Sequence, residues 1–224
     1  MILQNSLFPP ESSWTVPDVF PQFSETETVA IDLETYDPHL MTCGPGWATG
    51  RGHVVGIGVA TKDWEGYFPI RHEGGGNLDE GMVLRWLTKL LSSTKREVVF
   101  HNALYDVGWL RREGVIVKGK ILDTIIAAPL INENRFSYSL DNLGAAYCDE
   151  KKDESLLQDA ALAFGINPKS EMYKLHAKYV GPYGQQDASL TLKLWNKLKL
   201  EIAEQGLEKI LEMESKLIPL LLEM

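Results

Sequence analysis

Apolar residues fall on one side of a period-2 pattern over Val29-Ala30-Ile31-Asp32-Leu33-Glu34, which predicts a half-buried strand. A second strand is expected from His53 to Ala60, apolar almost throughout, and a third from Trp64 to Ile70. Gly74-Gly75-Gly76 breaks the chain before residues 78–91, where Met82, Leu84, Leu87, Leu90 and Leu91 form the apolar stripe of a helix. Val98-Val99-Phe100 predicts a short buried strand, and a helix through Leu104, Val107, Trp109 and Leu110 follows it and stops near Gly114. Val115-Ile116-Val117 predicts another short strand. Beyond residue 121 the helical period takes over, at about 123–132, 139–147, 153–164, 170–179 and 183–204. Gly206 interrupts it, and 207–224 begins a further amphipathic helix. Strands first and helices later, with part of the sheet built from hairpins, predict a layered α/β domain of mixed α+β character.

Three segments are expected. Residues 1–28 carry Pro9-Pro10, Pro17 and Pro21 among Ser, Thr and Glu and read as an extended lead-in rather than core. Residues 29–205 form the main domain, with 37–52 as a long surface loop. Residues 206–224 start a helix whose apolar face has nothing visible to bury it, so a further domain is expected beyond it. With 44% hydrophobic and 24% charged residues in 224, the balance is globular, which excludes a disordered tail or a disulfide-stapled miniprotein. No apolar run reaches the length of a membrane span, and Met1-Ile2-Leu3-Gln4 lacks the basic start of a secretory signal. Cys43 and Cys148 stand far apart and read as reduced thiols, so a cytoplasmic location is expected. Cys43 and His53 are too few ligands for zinc, and no glycine-rich phosphate loop is present, so no nucleotide cofactor is expected. The net charge of −9 argues against coating of long duplexes by charge alone, but leaves room for carboxylates gathered around metal ions.

Three carboxylate placements depart from the pattern. Asp32 and Glu34 lie two apart in an apolar strand, so both side chains share one face. Like charges that close repel unless a cation sits between them, and hard oxygen ligands fit Mg²⁺ or Mn²⁺; an edge strand with a solvated acidic face is the plain alternative. Asn102 and Asp106 are four apart on the first turns of a helix, where Asn102 also fits an ordinary N-cap. Tyr183 and Asp187 are again four apart, after Gly181-Pro182 at an expected helix start, where the macrodipole alone favours an acid.

In this order, D-x-E, N-x-x-x-D and Y-x-x-x-D, the sequence resembles the DEDD superfamily of 3′→5′ exonucleases, in its tyrosine subclass. The motifs are I-D-L-E-T (31–35), H-N-A-L-Y-D (101–106) and Y-G-Q-Q-D (183–187), with Leu122-Asp123-Thr124 and Ser139-Leu140-Asp141-Asn142-Leu143 between the second and third. The position five before Asp187 is Pro182, not the histidine of the other subclass. The likeness covers roughly 29–200 and is nearest to proofreading domains of family A DNA polymerases of bacteriophage type. It implies a ribonuclease H-like fold, a mixed sheet flanked by helices. It implies two divalent ions, Mg²⁺ or Mn²⁺, held by Asp32, Glu34, Asp106 and Asp187, with Tyr183 orienting the attacking water. The substrate implied is a single-stranded DNA 3′ end or frayed primer terminus, releasing 5′-nucleoside monophosphates. Leu33, Thr35, Asn102 and Tyr105 stand near enough to contact it, and a polymerase domain is expected to follow, in a bacterial host cytoplasm if phage-encoded. An RNA-trimming exonuclease of the ribonuclease D kind, or a non-catalytic nucleic-acid-binding domain of the same fold, would use the same framework.

Overall fold

The computed structural model describes residues 9–224. Five strands form one sheet in the order β3-β2-β1-β4-β5: β1 (Val29–Tyr36), β2 (His53–Ala60), β3 (Glu65–Pro69), β4 (Glu97–Phe100) and β5 (Lys120–Asp123). The first three run antiparallel as a meander; β1-β4 and β4-β5 are parallel. The helices are α1 (Leu40–Cys43), α2 (Gly46–Thr49), α3 (Glu80–Leu91), α4 (Ala103–Arg112), α5 (Thr124–Ile131), α6 (Leu140–Tyr147), α7 (Ser155–Phe164), α8 (Ala177–Glu204) and α9 (Glu208–Leu221). This is the mixed sheet flanked by helices that the sequence predicts.

Strand periodicity decides what faces what. Val29, Ile31 and Leu33 of β1 pack with Val83 and Leu87 of α3 and with Val107 and Leu110 of α4. Ala30 faces the other way, among Ala188, Leu190 and Leu194 of α8. Asp32 and Glu34 share the face of Ala30, so both carboxylates point toward α8. Opposite them on β2 stand two glycines: Asp32 pairs with Gly58 and Glu34 with Gly56. A Cβ on Gly58 would lie 2.3 Å from the Gly184 carbonyl oxygen, so α8 rests directly on bare β2 backbone. One on Gly56 would meet the Tyr67 hydroxyl. The G-I-G of β2 therefore clears the volume into which the acids and α8 fit.

Helix α8 differs from expectation in its start. Sequence spacing predicts a break at Gly181-Pro182, yet one helix of 28 residues runs through Pro182. Proline has no N–H to give the Lys178 carbonyl. That carbonyl instead accepts a hydrogen bond from Ser12 Oγ at 2.8 Å. Trp14 lies over the small Gly181, where any Cβ would strike its ring, and its Nε1 donates to Gln185 Oε1 at 3.2 Å. Expected helix 170–179 is thereby corrected to a short 3₁₀ turn, Met172–Lys174, followed by the start of α8.

The lead-in is a second correction. Residues 9–28 have no helix or strand, as expected, but they are not separate from the core: Phe20 stacks on Phe68 at 5.7 Å and Phe23 packs on Trp64. The buried Arg96 guanidinium donates to the Ser24 and Glu27 carbonyls and holds the strap down. Residues 1–8 of that segment lie outside the described residues. Loop 37–52 contains α1 and α2 and is anchored by Trp47, which fills the space beside Gly108. Val115-Ile116-Val117 is not a strand: Val115 N–H bonds back to Leu110 O and Lys118 N–H to Leu91 O, and the strand that pairs with β4 begins at Lys120. Helix α9 buries Leu211 and Ile218 against the domain and leaves Met213, Leu217 and Leu220 exposed.

Candidate active site

The acids arrive from three elements. Asp32 and Glu34 come from β1, Asp106 from the first turn of α4 and Asp187 from about three turns inside α8. An oxygen from each of Asp32, Glu34 and Asp187 lies within 4.8 Å of the others. Asp106 is buried outside that trio, close enough to Asp32 for the two charges to repel. The depth of Asp187 in α8 removes the macrodipole as a reason for an acid there, since that effect fades within the first turn.

Burial and mutual repulsion shift all four carboxylates upward. Asp32 is pushed up to about 7, first by burial and then by Asp187. Burial and Asp32 push Glu34 up, and the same two causes act on Asp106. Burial also raises Asp187, against the pull of Lys152. Asp187 Oδ1 is buried and has no hydrogen-bond partner among the described residues. Such a set of hard oxygen donors, with one left unpaired, fits a divalent cation of the Mg²⁺ or Mn²⁺ kind.

Tyr183 stands one turn before Asp187. Burial, followed by Glu34 and Asp187, drives its phenol far above the ordinary range, so it stays protonated. Lys152, in the loop between α6 and α7, donates from Nζ to Asp187 Oδ2 at 2.5 Å and to Tyr183 Oη at 3.3 Å. Burial works to lower this ammonium, but Asp187 outweighs it and the net direction is up. Sequence reasoning missed Lys152. Separations of 31 and 35 residues from its partners carry no periodic signal.

The remaining candidates separate by surroundings. Leu33 points its side chain into the core, away from the acids. Asn102 is exposed and left-handed (φ 82°), and its side chain caps nothing, so the N-cap expectation is corrected. Asp123 takes that part: its carboxylate accepts the N–H groups of Asn102, Ala103 and Ile125 at 2.7–3.0 Å. The L-D-T segment thus ties β5 to the turn that carries Asp106. Tyr105 donates to Asp37 Oδ2 at 3.1 Å and is 2.8 Å from Thr35 Oγ1, which must then be the donor to it. Asp37 also accepts the Gly46 N–H, so Thr35 and Tyr105 are wired into the 37–52 loop.

A profile described as 3′-5′ exonuclease matches residues 11–203. The chain belongs to this exonuclease family. Its match begins at residue 11 and so includes the strap that stitches α8. The chain is 40% identical over 228 residues to a DNA-directed DNA polymerase of Pseudomonas phage M6, covering 98% of this chain and 34% of that protein. It is 27% identical to DNA polymerase I of Pseudomonas aeruginosa, over 89% of this chain and 21% of the polymerase. The chain thus spans about a third or less of the length of these curated relatives. Escherichia coli RNase D, an exoribonuclease, superposes with a TM-score of 0.59 at 15% identity, over 88% of this chain and 45% of that one. That likeness establishes the shared ribonuclease H-like fold. The family is one of hydrolytic 3′-5′ exonuclease domains of DNA polymerases, and among the described residues no helix is long and apolar enough to cross a membrane.

Proposed function

We propose that this domain removes nucleotides from a DNA 3′ end, releasing 5′-nucleoside monophosphates, as the proofreading part of a polymerase. The observation that carries the reading is the convergence of Asp32, Glu34 and Asp187 oxygens within 4.8 Å in a member of the 3′-5′ exonuclease family. Asp32, Glu34 and Asp187 would hold one divalent ion, and Asp32 with Asp106 a second. Bound divalent ions supply Lewis acidity to the phosphate and lower the pKa of water.

The chain's own residues do the positioning. Tyr183, protonated at neutral pH, hydrogen-bonds the attacking water and fixes its direction without taking its proton. Asp106, buried on the first turn of α4 within electrostatic reach of Asp32, would complete the carboxylate set. Asn102, exposed just after β4, would touch the sugar or phosphate of the next nucleotide, with Thr35 and Tyr105 as further contacts. A paired 3′ end must be unstacked to enter, which costs a few kcal/mol and least at a mismatch. The polymerase domain is expected on the C-terminal side, in keeping with the relatives, and the site of action is a host cytoplasm.

The test is a time course on 5′-labelled single-stranded DNA with Mg²⁺, beside EDTA, Asp32→Ala and a matched RNA. A ladder shortening from the 3′ end, lost in EDTA and in the variant, supports the reading. Equal or faster digestion of RNA would move the substrate to the ribonuclease D class. No ladder with Mg²⁺ or Mn²⁺ would remove the catalytic reading of the isolated domain.

A further inference from the structure

Lys152 is the one basic side chain, among the described residues, that bonds to the acid trio. Its loop is pinned on both sides. Its own N–H donates to Asp141 Oδ1 at 3.2 Å, Gln186 Nε2 donates to Lys151 O at 3.3 Å, and Asp153 N–H donates to Gln186 Oε1 at 2.8 Å. The base of the residue is therefore fixed, while its four-carbon stem can turn. The same side chain forms part of the wall of an open cavity of about 550 Å³ that also presents Asp141, Lys151, Glu154 and Lys169. Lys152, its side chain 14% exposed, thus stands between the acids it bonds and a groove reached from solvent.

Asp187 divides its two oxygens between these environments. Oδ2 accepts from Lys152, and Oδ1 is buried without a partner. A divalent cation drawn to Asp32, Glu34 and Asp187 meets the ammonium at close range, and two positive charges on one carboxylate repel strongly where water is scarce. Tyr183 Oη, 3.3 Å from Nζ, gives the lysine a second anchor about which to swing. A phosphodiester entering the groove offers the negative charge that the lysine loses on leaving Asp187.

We propose that Lys152 is a further functional residue of this site, which gives up Asp187 to the divalent cation and takes a non-bridging phosphate oxygen in exchange. The inference rests on the hydrolytic reading above. It puts a fixed positive charge beside the oxygens on which charge builds in the transition state, next to the water that Tyr183 orients. It also makes a metal-binding site that holds its own counter-charge, so the acids stay together without an ion.

Two variants, Lys152→Met and Lys152→Arg, test the exchange. Titration of Mn²⁺ by calorimetry should show Lys152→Met binding about tenfold more tightly than the native chain, because the competing ammonium is gone. Lys152→Arg should stay close to native. With saturating Mn²⁺ and a 5′-labelled oligonucleotide, Lys152→Met should lose about a hundredfold in kcat with little change in KM, and Lys152→Arg should recover most of it. Weaker or unchanged Mn²⁺ binding by Lys152→Met overturns the exchange, and an unchanged kcat overturns the phosphate contact. Loss of both binding and native circular dichroism would make the lysine a folding residue and overturn the proposal too. If the native chain digests no oligonucleotide, the hydrolytic reading fails by itself, and the Mn²⁺ comparison still decides the exchange.

Discussion

Asp32 shows how one side chain can be a burden to the fold and a requirement of the proposed chemistry. Its folded-state pKa of about 7 lies above the 3.8 of an ordinary aspartate, so the native state keeps this proton longer than the unfolded chain does. Stability in the absence of divalent ions is therefore expected to fall as pH rises from about 4 to 7. Asp32→Asn removes that cost: in EDTA at pH 8 it should be more stable by roughly 2–4 kcal/mol in urea denaturation, gain nothing from Mg²⁺, and have no exonuclease activity. A variant that unfolds earlier than native in EDTA would mean that the carboxylate is held by contacts stronger than the repulsion. Tyr183→Phe keeps the ring and loses the hydroxyl; kcat is expected to drop about tenfold to a hundredfold at unchanged KM, read from single-turnover rates. At this scale much was legible in the sequence. The i, i+2 and i, i+4 spacings put Asp32 with Glu34 and Tyr183 with Asp187 on shared faces, because such geometry is local. What was not legible is non-local: Lys152 reaches the acids through the α6–α7 loop, and Asp123 rather than Asn102 holds the N–H groups at the start of α4.

Among the elements, α8 and the strap across it determine whether the acids meet. Ser12 stands in for the N–H that Pro182 lacks, so Ser12→Ala leaves the Lys178 carbonyl without that partner and should cost about 1–2 kcal/mol in urea denaturation. Trp14→Ala opens a void over Gly181 and Tyr67 and should cost about 3–5 kcal/mol. Both are expected to weaken Mn²⁺ binding as well, since they loosen the helix turn that precedes Asp187. Gly58→Ala attacks the same contact from the sheet: its Cβ would meet the Gly184 carbonyl, and lifting α8 from β2 should cost about 1–3 kcal/mol and lower activity more than stability alone explains. Most helix and strand identities were readable from periodicity; in the apolar stripe of α3, Leu87, Leu90 and Leu91 are buried as expected, but Val83 is buried in place of Met82, which faces solvent. The course of α8 was not, because a proline reads as a break unless its orphaned carbonyl finds a donor, and that donor lies 166 residues away. Val115-Ile116-Val117 misled for a similar reason: a short β-branched run says nothing of which backbone it will meet, and Val115 and Lys118 found α4 and α3 instead of a strand.

Over the whole molecule, the charge of −9 and the few lysines near the groove would set how a nucleic acid is held on the proposed reading. Two or three phosphates neutralised by Lys151, Lys152 and Lys169 should make the affinity for a short single strand fall roughly tenfold between 50 and 200 mM salt, by fluorescence anisotropy with the Asp32→Ala chain. Salt-insensitive binding would place the strand elsewhere on the surface. A layered domain with part of the sheet built from hairpins was foreseen from strands that precede helices, whereas the strand order and the packing of residues 9–28 on the core were not, since Pro, Ser and Thr say little about docking and the aromatic anchors are only Trp14, Phe20 and Phe23. The distribution of the acids along the chain has a further consequence. A ribosome delivers β1 first, α4 some seventy residues later and α8 about eighty after that, so every incomplete nascent chain carries an unfinished set of ligands. On the proposed hydrolytic reading, the site is complete only when α8 has emerged and docked on Gly58. On that reading, synthesis would pass through no half-built nuclease able to cut the host's own DNA.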